Sequence, residues 1–509
     1  MNFRTAAWLA ALTVTLSFGW FAVDGHVGIN LADEGYLWYG TRALNAGQVP
    51  IRDFQAYDPG RYVWTAAWSH VLGDGLVSMR AACVIFHCFG IFAGLLTAAR
   101  VSRDWRFLVL VAITLTLWMT PRFKVFEQSI ALMAIWVAVR LLEQPTTRRH
   151  FLSGVFVGLM AFIGRNHGLY LTVAFALVML AMARGEWAKL PRGVLAWSGG
   201  VLLGYTPQWL MFAFVPGYFD AFLALLQRNV TLGSNLAMAV PWPWRIPAEY
   251  SGPYWRNAFV EGCFFLALPL FVIAAFTRIL MLGKAKLSQH RPLLAAACVA
   301  LPYAHHTFSR ADSIHLAHSA PALVLGLIAL VASICPRTGF APHSVALVLC
   351  MATVSATIRH SGLFHERMDA RGTFVTRDVL GQSMRVSRES AAILDTATKL
   401  SEDHARPDEA VMFLPHWPGL YAATSRWSPL PQIYFIRPAS AAEEERTVAQ
   451  METRRVAWVM LQDYRLDGRD ALRFRRTNPM TFEYLARNFE QIAVPGSPSD
   501  TTVWRRRRL

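Results

Sequence analysis

Thr5-Ala6-Ala7-Trp8-Leu9-Ala10-Ala11-Leu12-Thr13-Val14-Thr15-Leu16-Ser17-Phe18-Gly19-Trp20-Phe21-Ala22-Val23 carries no charge and is bracketed by Arg4 and Asp24. A helix that crosses a bilayer needs roughly 20 mostly apolar residues. This stretch therefore has the length and chemistry of a span. No small-x-small cleavage pattern follows it, because the exit reads Trp20-Phe21-Ala22-Val23-Asp24. It is expected to be a retained anchor, not a signal peptide. Comparable segments recur near 79–99, 106–120, 125–143, 149–163, 168–184, 194–214, 258–280, 291–304, 319–335 and 342–358, which makes eleven.

The composition agrees. Of 509 residues, 54% are hydrophobic and 16% charged, with mean hydropathy +0.32. A soluble chain carries about 25% charged residues; this much apolar surface exceeds what a soluble core hides, whereas lipid accepts it. Disordered, collagenous and disulfide-rich classes are excluded on the same grounds. The six cysteines (Cys83, Cys88, Cys263, Cys298, Cys335 and Cys350) lie in or beside apolar segments and read as small hydrophobes. The net charge of +16 invites a nucleic-acid reading. Its distribution argues against one, because the basic residues cluster between apolar segments.

Those clusters predict a topology. Arg100, Arg103 and Arg106, then Arg148 and Arg149, then Arg184, Lys189 and Arg192, then Lys284, Lys286 and Arg291, then Arg337 occupy alternate loops on the side of Arg4. The positive-inside rule puts them in the cytoplasm. The other face receives a long first loop (24–78), short loops at Thr120–Lys124, Gly164–His167 and Tyr303–His318, and a Trp/Pro-rich loop (215–257) with Pro241-Trp242-Pro243-Trp244. The stretch 61–68 is too short to span and is expected at the membrane surface. After residue 358 charge becomes dense, with β-like runs at Ala410–Leu414 and Arg455–Leu461 and helical stretches near 380–400 and 478–488. The expectation is a polytopic α-helical membrane protein. It has a transmembrane module (1–358) of about eleven helices and a small C-terminal α/β domain (359–509) on the non-cytoplasmic face. Arg505-Arg506-Arg507-Arg508 reads as a separate basic tail.

The first outer loop holds Leu31-Ala32-Asp33-Glu34-Gly35-Tyr36-Leu37-Trp38-Tyr39, then Gly47-Gln48-Val49-Pro50, Arg52-Asp53-Phe54 and Tyr57-Asp58-Pro59-Gly60-Arg61-Tyr62. This order resembles the GT-C superfamily of integral-membrane glycosyltransferases, in the branch similar to protein O-mannosyltransferases and aminoarabinose transferases. The resemblance covers most of the chain. It implies that Asp33 is the catalytic carboxylate, with Glu34 beside it, and that the donor is a sugar on a polyprenyl phosphate. Many relatives place a Lys before a Pro pair at the re-entry. This chain has Asp58-Pro59-Gly60-Arg61 there, and Arg61 is the candidate for the positive charge.

The chemistry leads to the same residue types. A phosphate leaving group needs no carboxylic acid to protonate it, unlike the paired carboxylates of glycosidases. One base for the acceptor hydroxyl suffices, with inversion, while cationic or hydrogen-bonding groups meet the developing phosphate charge. Arg122, Lys124, Arg165, His167, His305, His306 and Arg310 sit on the predicted outer loops. Arg310-Ala311-Asp312, with His315 entering the next span, looks like a donor-side loop in which Asp312 orients Arg310 by a bidentate pair. Blander readings compete at every position. Asp33 can cap a helix starting at Glu34, Asp53 and Asp58 can be turn residues, and Arg122 and Lys124 can be snorkelling cations. His315 and His318, three apart, lack the Glu of a His-Glu-x-x-His zinc motif, so neither metal nor other cofactor is expected. Asn229-Val230-Thr231 matches a glycosylation sequon and reads as a chance match.

The function expected is transfer of a sugar from a polyprenyl-phosphate donor to a hydroxyl of a lipid, glycan or protein acceptor. It is placed outside the bacterial inner (plasma) membrane, with membrane lipids and no nucleic acid as partners. The alternatives are a lipid-linked saccharide polymerase or ligase, and a transporter or flippase. A transporter fits less well because the ionisable residues crowd the outer loops instead of a midplane path.

Overall fold

The computed structural model describes residues 3–184, 186–233, 236–335, 341–368 and 372–507. Arg337 and Arg508 lie outside the described residues, as does the side chain of Lys284. The chain forms two compact units whose pieces interleave. One comprises Met1–Gly25, Arg80–Pro216 and Arg228–His365; the other comprises His26–Met79, Gly217–Gln227 and Glu366–Leu509.

The first unit is helical. Each apolar segment of the sequence coincides with helix, from Phe3–Asp24 through Ser313–Ile334 to Ala341–Thr357. The segment 194–214 is divided at Tyr205 into Leu190–Gly204 and Thr206–Phe214. Among the described residues six helices are long and apolar enough to cross a membrane: Phe3–Asp24, Leu76–Ala98, Val125–Glu143, Arg165–Ala183, Tyr254–Met281 and Ser313–Ile334. Trp105–Leu117 and Ala341–Thr357 are apolar but shorter. The helix Thr147–Ile163 opens on Arg148-Arg149-His150, which dilutes its apolar length. Polar side chains set several starts. Asp104 accepts from the N–H groups of Arg106 (2.8 Å) and Phe107 (3.3 Å), and Thr146 accepts from that of Arg149 (3.3 Å). The helices Thr147–Ile163 and Leu190–Gly204 approach backbone to backbone. A Cβ on Gly154, Gly158, Gly200 or Gly204 would overlap a main-chain oxygen of the facing helix.

The second unit holds all six strands found among the described residues. β1 (Phe374–Val379) and β2 (Gln382–Ser387) form an antiparallel hairpin. β3 (Ala410–Leu414), β4 (Val456–Gln462), β5 (Phe489–Ile492) and β6 (Thr501–Arg506) form a sheet in the order β3-β4-β6-β5, parallel only between β3 and β4. That parallel pair requires a crossover. The crossover includes the helix Ala441–Thr453, which starts in a capping box of Ser440 and Glu443. Met412, Leu414, Val459, Leu461, Phe474 and Trp504 lie in the core.

The same unit takes in the first loop. Val27 bridges to Arg385, and the Gly28 N–H donates to the Arg385 carbonyl at 2.7 Å. The stretch 61–68 lies within the helix Pro59–Leu72, one face of which is buried through Arg61, Tyr62, Thr65, Ala66 and Ser69. The reading of residues 505–507 as a separate tail is corrected. Arg505 and Arg506 belong to β6. Arg506 donates to the Val456 carbonyl (3.0 Å) and the Tyr484 hydroxyl (2.7 Å), and Arg505 lies 5.4 Å from the Trp458 ring centre. Thr501-Thr502-Val503-Trp504 supplies β-prone side chains that carry the strand into these arginines.

Candidate active site

Asp33 opens the helix Asp33–Asn45, whose N-cap position is held by Ala32 without a side-chain capping bond. Asn30 Oδ1 accepts from the N–H groups of Ala32 (3.0 Å) and Asp33 (2.9 Å). Asp33 Oδ1 instead accepts from the Tyr434 hydroxyl at 2.9 Å. Glu34 is buried, and its Oε2 accepts from the Asn30 N–H at 3.2 Å, which ties it to the turn that presents Asp33. The start of this helix presses on the helix Pro418–Ala423. A Cβ on Gly35 would overlap the Gly419 nitrogen, and the Gly419 N–H donates to the Leu31 carbonyl at 2.9 Å.

Aromatic side chains surround this carboxylate. The Tyr434 ring lies 4.6 Å from Tyr36 and 5.5 Å from His416, centre to centre. His416 Nε2 is 2.7 Å from the Tyr464 hydroxyl, and Trp417 stacks on its ring at 4.9 Å. Burial pushes the His416 imidazole down to about 4 against the upward pull of Asp33 and Asp467, so it is neutral at pH 7. Its Nδ1 is buried without a hydrogen-bond partner. Burial, reinforced by the charge of Asp33, pushes the Tyr434 phenol well up, so it remains a donor. The aromatic series continues from Tyr36 to Tyr57 (4.7 Å), with the Arg61 guanidinium 5.0 Å from the Tyr57 centre. Arg61 is buried, as is Asp58 at the start of the helix Pro59–Leu72. Asp53 is engaged differently. Arg52 forks onto it at 2.7 and 2.8 Å, the Val49 N–H donates at 2.7 Å, and the Arg52 contact holds its carboxyl below the usual range.

The first unit gathers a second polar group. Asp312 caps the helix Ser313–Ile334, its Oδ1 accepting from the His315 N–H (2.9 Å) and lying 2.7 Å from His315 Nδ1. Its Oδ2 accepts from Arg310 Nε at 2.7 Å, and Arg310 Nη1 donates to the Leu236 carbonyl at 3.2 Å. Burial raises the Asp312 pKa, but hydrogen bonds and charge from His315, with Arg310, outweigh it and bring the carboxyl to about 2. His315 and His318 are 5.3 Å apart, and His318 and His306 5.1 Å. His167 Nδ1 meets the Tyr303 hydroxyl at 3.0 Å, and His305 Nδ1 the Tyr170 hydroxyl at 2.7 Å. Among the described residues no three His, Cys, Asp or Glu side chains gather as a metal-holding group. Lys124 lies 5.7 Å from the Phe123 ring centre and within electrostatic reach of His318. Arg165 is the first residue of the helix Arg165–Ala183. Arg122 pairs with Asp24 at 2.9 Å and donates to the Asp24 carbonyl at 2.6 Å.

The sequence reading passed over Tyr434, His416 and Tyr464. A signal for them exists, because His416-Trp417-Pro418 and Pro429-Leu430-Pro431-Gln432-Ile433-Tyr434 form an aromatic and proline-rich island in a charged region.

No protein-family model matches the chain, and no curated protein sequence matches it. Solved structures do. ArnT from Cupriavidus metallidurans in the apo state is similar with a TM-score of 0.50 at 13% identity, covering 98% of this chain and 97% of that one. The same protein bound to undecaprenyl phosphate gives a TM-score of 0.49 at 14% identity, covering 99% and 98%. Over nearly its whole length, the chain therefore shares the fold of ArnT, a glycosyltransferase of the GT-C superfamily that the first-loop motif resembles.

Proposed function

We propose that the chain is an inverting glycosyltransferase that moves a sugar from a polyprenyl-phosphate donor to an acceptor hydroxyl on the non-cytoplasmic face of a bacterial inner membrane, with Asp33 as base. The observation that supports this most directly is the environment of Asp33. Its carboxylate is not used to cap its own helix, lies only partly buried, and is oriented by Tyr434. Asp33 takes the acceptor hydroxyl proton, the acceptor oxygen attacks the anomeric carbon from the face opposite the phosphate, and the C–O bond to phosphate breaks with its electron pair on the phosphate. Arg310, whose place in an Arg-Ala-Asp sequence ahead of an apolar run suggests a donor-side loop, is the proposed partner of the donor phosphate. The transmembrane module is taken as eleven spans, with residues 359–509 outside the cytoplasm, because the basic loops alternate.

The test is a transfer assay with purified protein in detergent, labelled undecaprenyl-phosphate sugars and a panel of acceptors. Asp33→Asn keeps the shape and cannot accept the proton, so turnover is expected to fall about 100-fold or more with donor binding intact. Asp33→Glu should recover little, since the longer side chain displaces the carboxylate by about an ångström. Turnover in Asp33→Asn within a few-fold of the parent would falsify the assignment.

A further inference from the structure

Strand β1 with the turn after it, the helix Arg388–Lys399 with the turn that follows it, and the end of the helix Pro418–Ala423 with the residues just past it line a half-open cavity of about 560 Å³. Small-molecule sites occupy about 300–1,000 Å³. None of the residues around Asp33 lines it.

The backbone of its wall is unusual. Val379 pairs with Gln382, which leaves a two-residue turn, Leu380-Gly381, with φ of 51° and 74°. Such a turn favours Asn-Gly, and a bulky residue in the left-handed region is costly. Leu380 nevertheless holds that place, lines the cavity and stays 38% exposed. Ser425, at φ 53°, lines the same cavity. Disfavoured backbone of this kind concentrates where a ligand is held.

The polar groups define the ligand. Arg377 is forked onto Asp395, with Nε–Oδ1 and Nη2–Oδ2 both at 2.9 Å. Arg426 donates through its two Nη atoms to the carbonyls of Arg406, Glu409, Ser401 and Ala405. Both guanidiniums are thus engaged, and Asp378 and Glu402 add negative charge to the lining. An anion is disfavoured there. Thr398 and Glu402, both exposed, line the cavity together with Leu380, Leu394 and Pro407. A hydroxyl and a carboxylate set against aliphatic surface complement a sugar, which offers hydroxyl pairs and a C–H face.

We propose that this cavity is a carbohydrate-binding site that holds a short neutral saccharide, the non-reacting glycan part of the acceptor. The acceptor role rests on the transferase reading; the binding does not. One helix joins the cavity wall to Asp33. Arg42, on the helix Asp33–Asn45, donates to the Ala422 carbonyl and, at 3.3 Å, to the Ser425 hydroxyl. Along the helix axis Arg42 is about 14 Å from Asp33.

The experiment titrates the full chain in detergent with a panel of neutral di- and trisaccharides of glucose, galactose, mannose and N-acetylglucosamine, with inorganic phosphate as competitor. At least one saccharide is expected to bind the parent and Asp33→Asn alike. Glu402→Gln should weaken it about tenfold. Leu380→Asn is the discriminating variant: it suits the turn, so Tm should hold or rise while affinity falls about tenfold. Absence of binding across the panel, equal binding by both variants, or displacement by phosphate would overturn the proposal. Saccharide binding without any transfer from the labelled donors would remove the transferase reading and leave the carbohydrate site. Transfer that depends on Asp33 without saccharide binding would do the reverse.

Discussion

The Tyr434 hydroxyl and the Asp33 carboxylate come from positions 401 residues apart, and each accounts for the other's burial cost. Tyr434→Phe keeps the ring contacts and removes one hydrogen bond to a charged group. Such bonds contribute about 1.5 kcal/mol or more, so turnover should drop about tenfold while donor affinity holds. Unchanged turnover would reduce Tyr434 to packing. His416 makes a pH prediction. Its imidazole is held near 4 when folded, against 6.5 unperturbed. Below 6.5 the unfolded chain binds a proton that the folded chain refuses, so His416 lowers stability as pH falls from 6.5 towards 4, by about 3 kcal/mol at most. Melting temperature measured across that window should fall, and His416→Gln should flatten the fall. An identical pH profile in His416→Gln would mean that other groups carry the acid sensitivity. The place of Asp33, after an apolar run and ahead of the Gly-Gln-Val-Pro turn, is visible in the sequence. The residues against it were not, because nothing local to Tyr434 records a partner so distant in sequence.

Among the helices, adjacent glycines differ sharply. On Leu190–Gly204 a Cβ at Gly199 meets nothing within 4 Å, whereas one at Gly200 would overlap the Phe151 carbonyl oxygen of the facing helix. Gly199→Ala should therefore be neutral or slightly stabilising through helix propensity. Gly200→Ala should destabilise by about 1–3 kcal/mol, since the two helices must separate to admit the methyl. Thermal stability of the two purified variants checks this; equal Tm values would remove close backbone packing as what holds this pair. At this scale most elements were readable. The strands Ala410–Leu414 and Val456–Gln462 and the helix Pro479–Asn488 fall where the sequence pattern put them, but the helix expected over 380–400 begins only at Arg388, because Gln382–Ser387 pairs with Phe374–Val379 as a strand. The break at Tyr205 was passed over although Gly204-Tyr205-Thr206-Pro207 marks it, since a Pro suits the first turn of a new helix.

For the whole chain, the alternating basic loops predict that the C-terminal part faces away from the cytoplasm. A reporter active only in the cytoplasm should be silent when fused after Leu509 and active when placed in the loop around Arg148. Activity at both positions would mean that the span count is off by an odd number. The interleaving of the chain also bears on how it can be cut. Residues 26–79 share a compact unit with residues 366–509, through contacts such as Gly35 with Gly419 and Val27 with Arg385.

Sequence alone determined that the chain is rich in apolar segments of bilayer length, that those segments are helical, and that an acidic pair follows the first apolar run; the helix Tyr218–Leu232 lies in a stretch that it marked as loop. These are local properties, since hydropathy, charge and periodicity are set by neighbouring residues. Tertiary structure decided the rest. It showed that Ala32, not Asp33, holds the N-cap of the first-loop helix, and it brought Tyr434 to Asp33. It placed Arg122 on Asp24, left Arg310 beside Asp312, and made a strand of Arg505 and Arg506. A hydrogen bond or ion pair between distant residues depends on which backbones come close, and that follows from how the helices and strands pack rather than from the residues on either side.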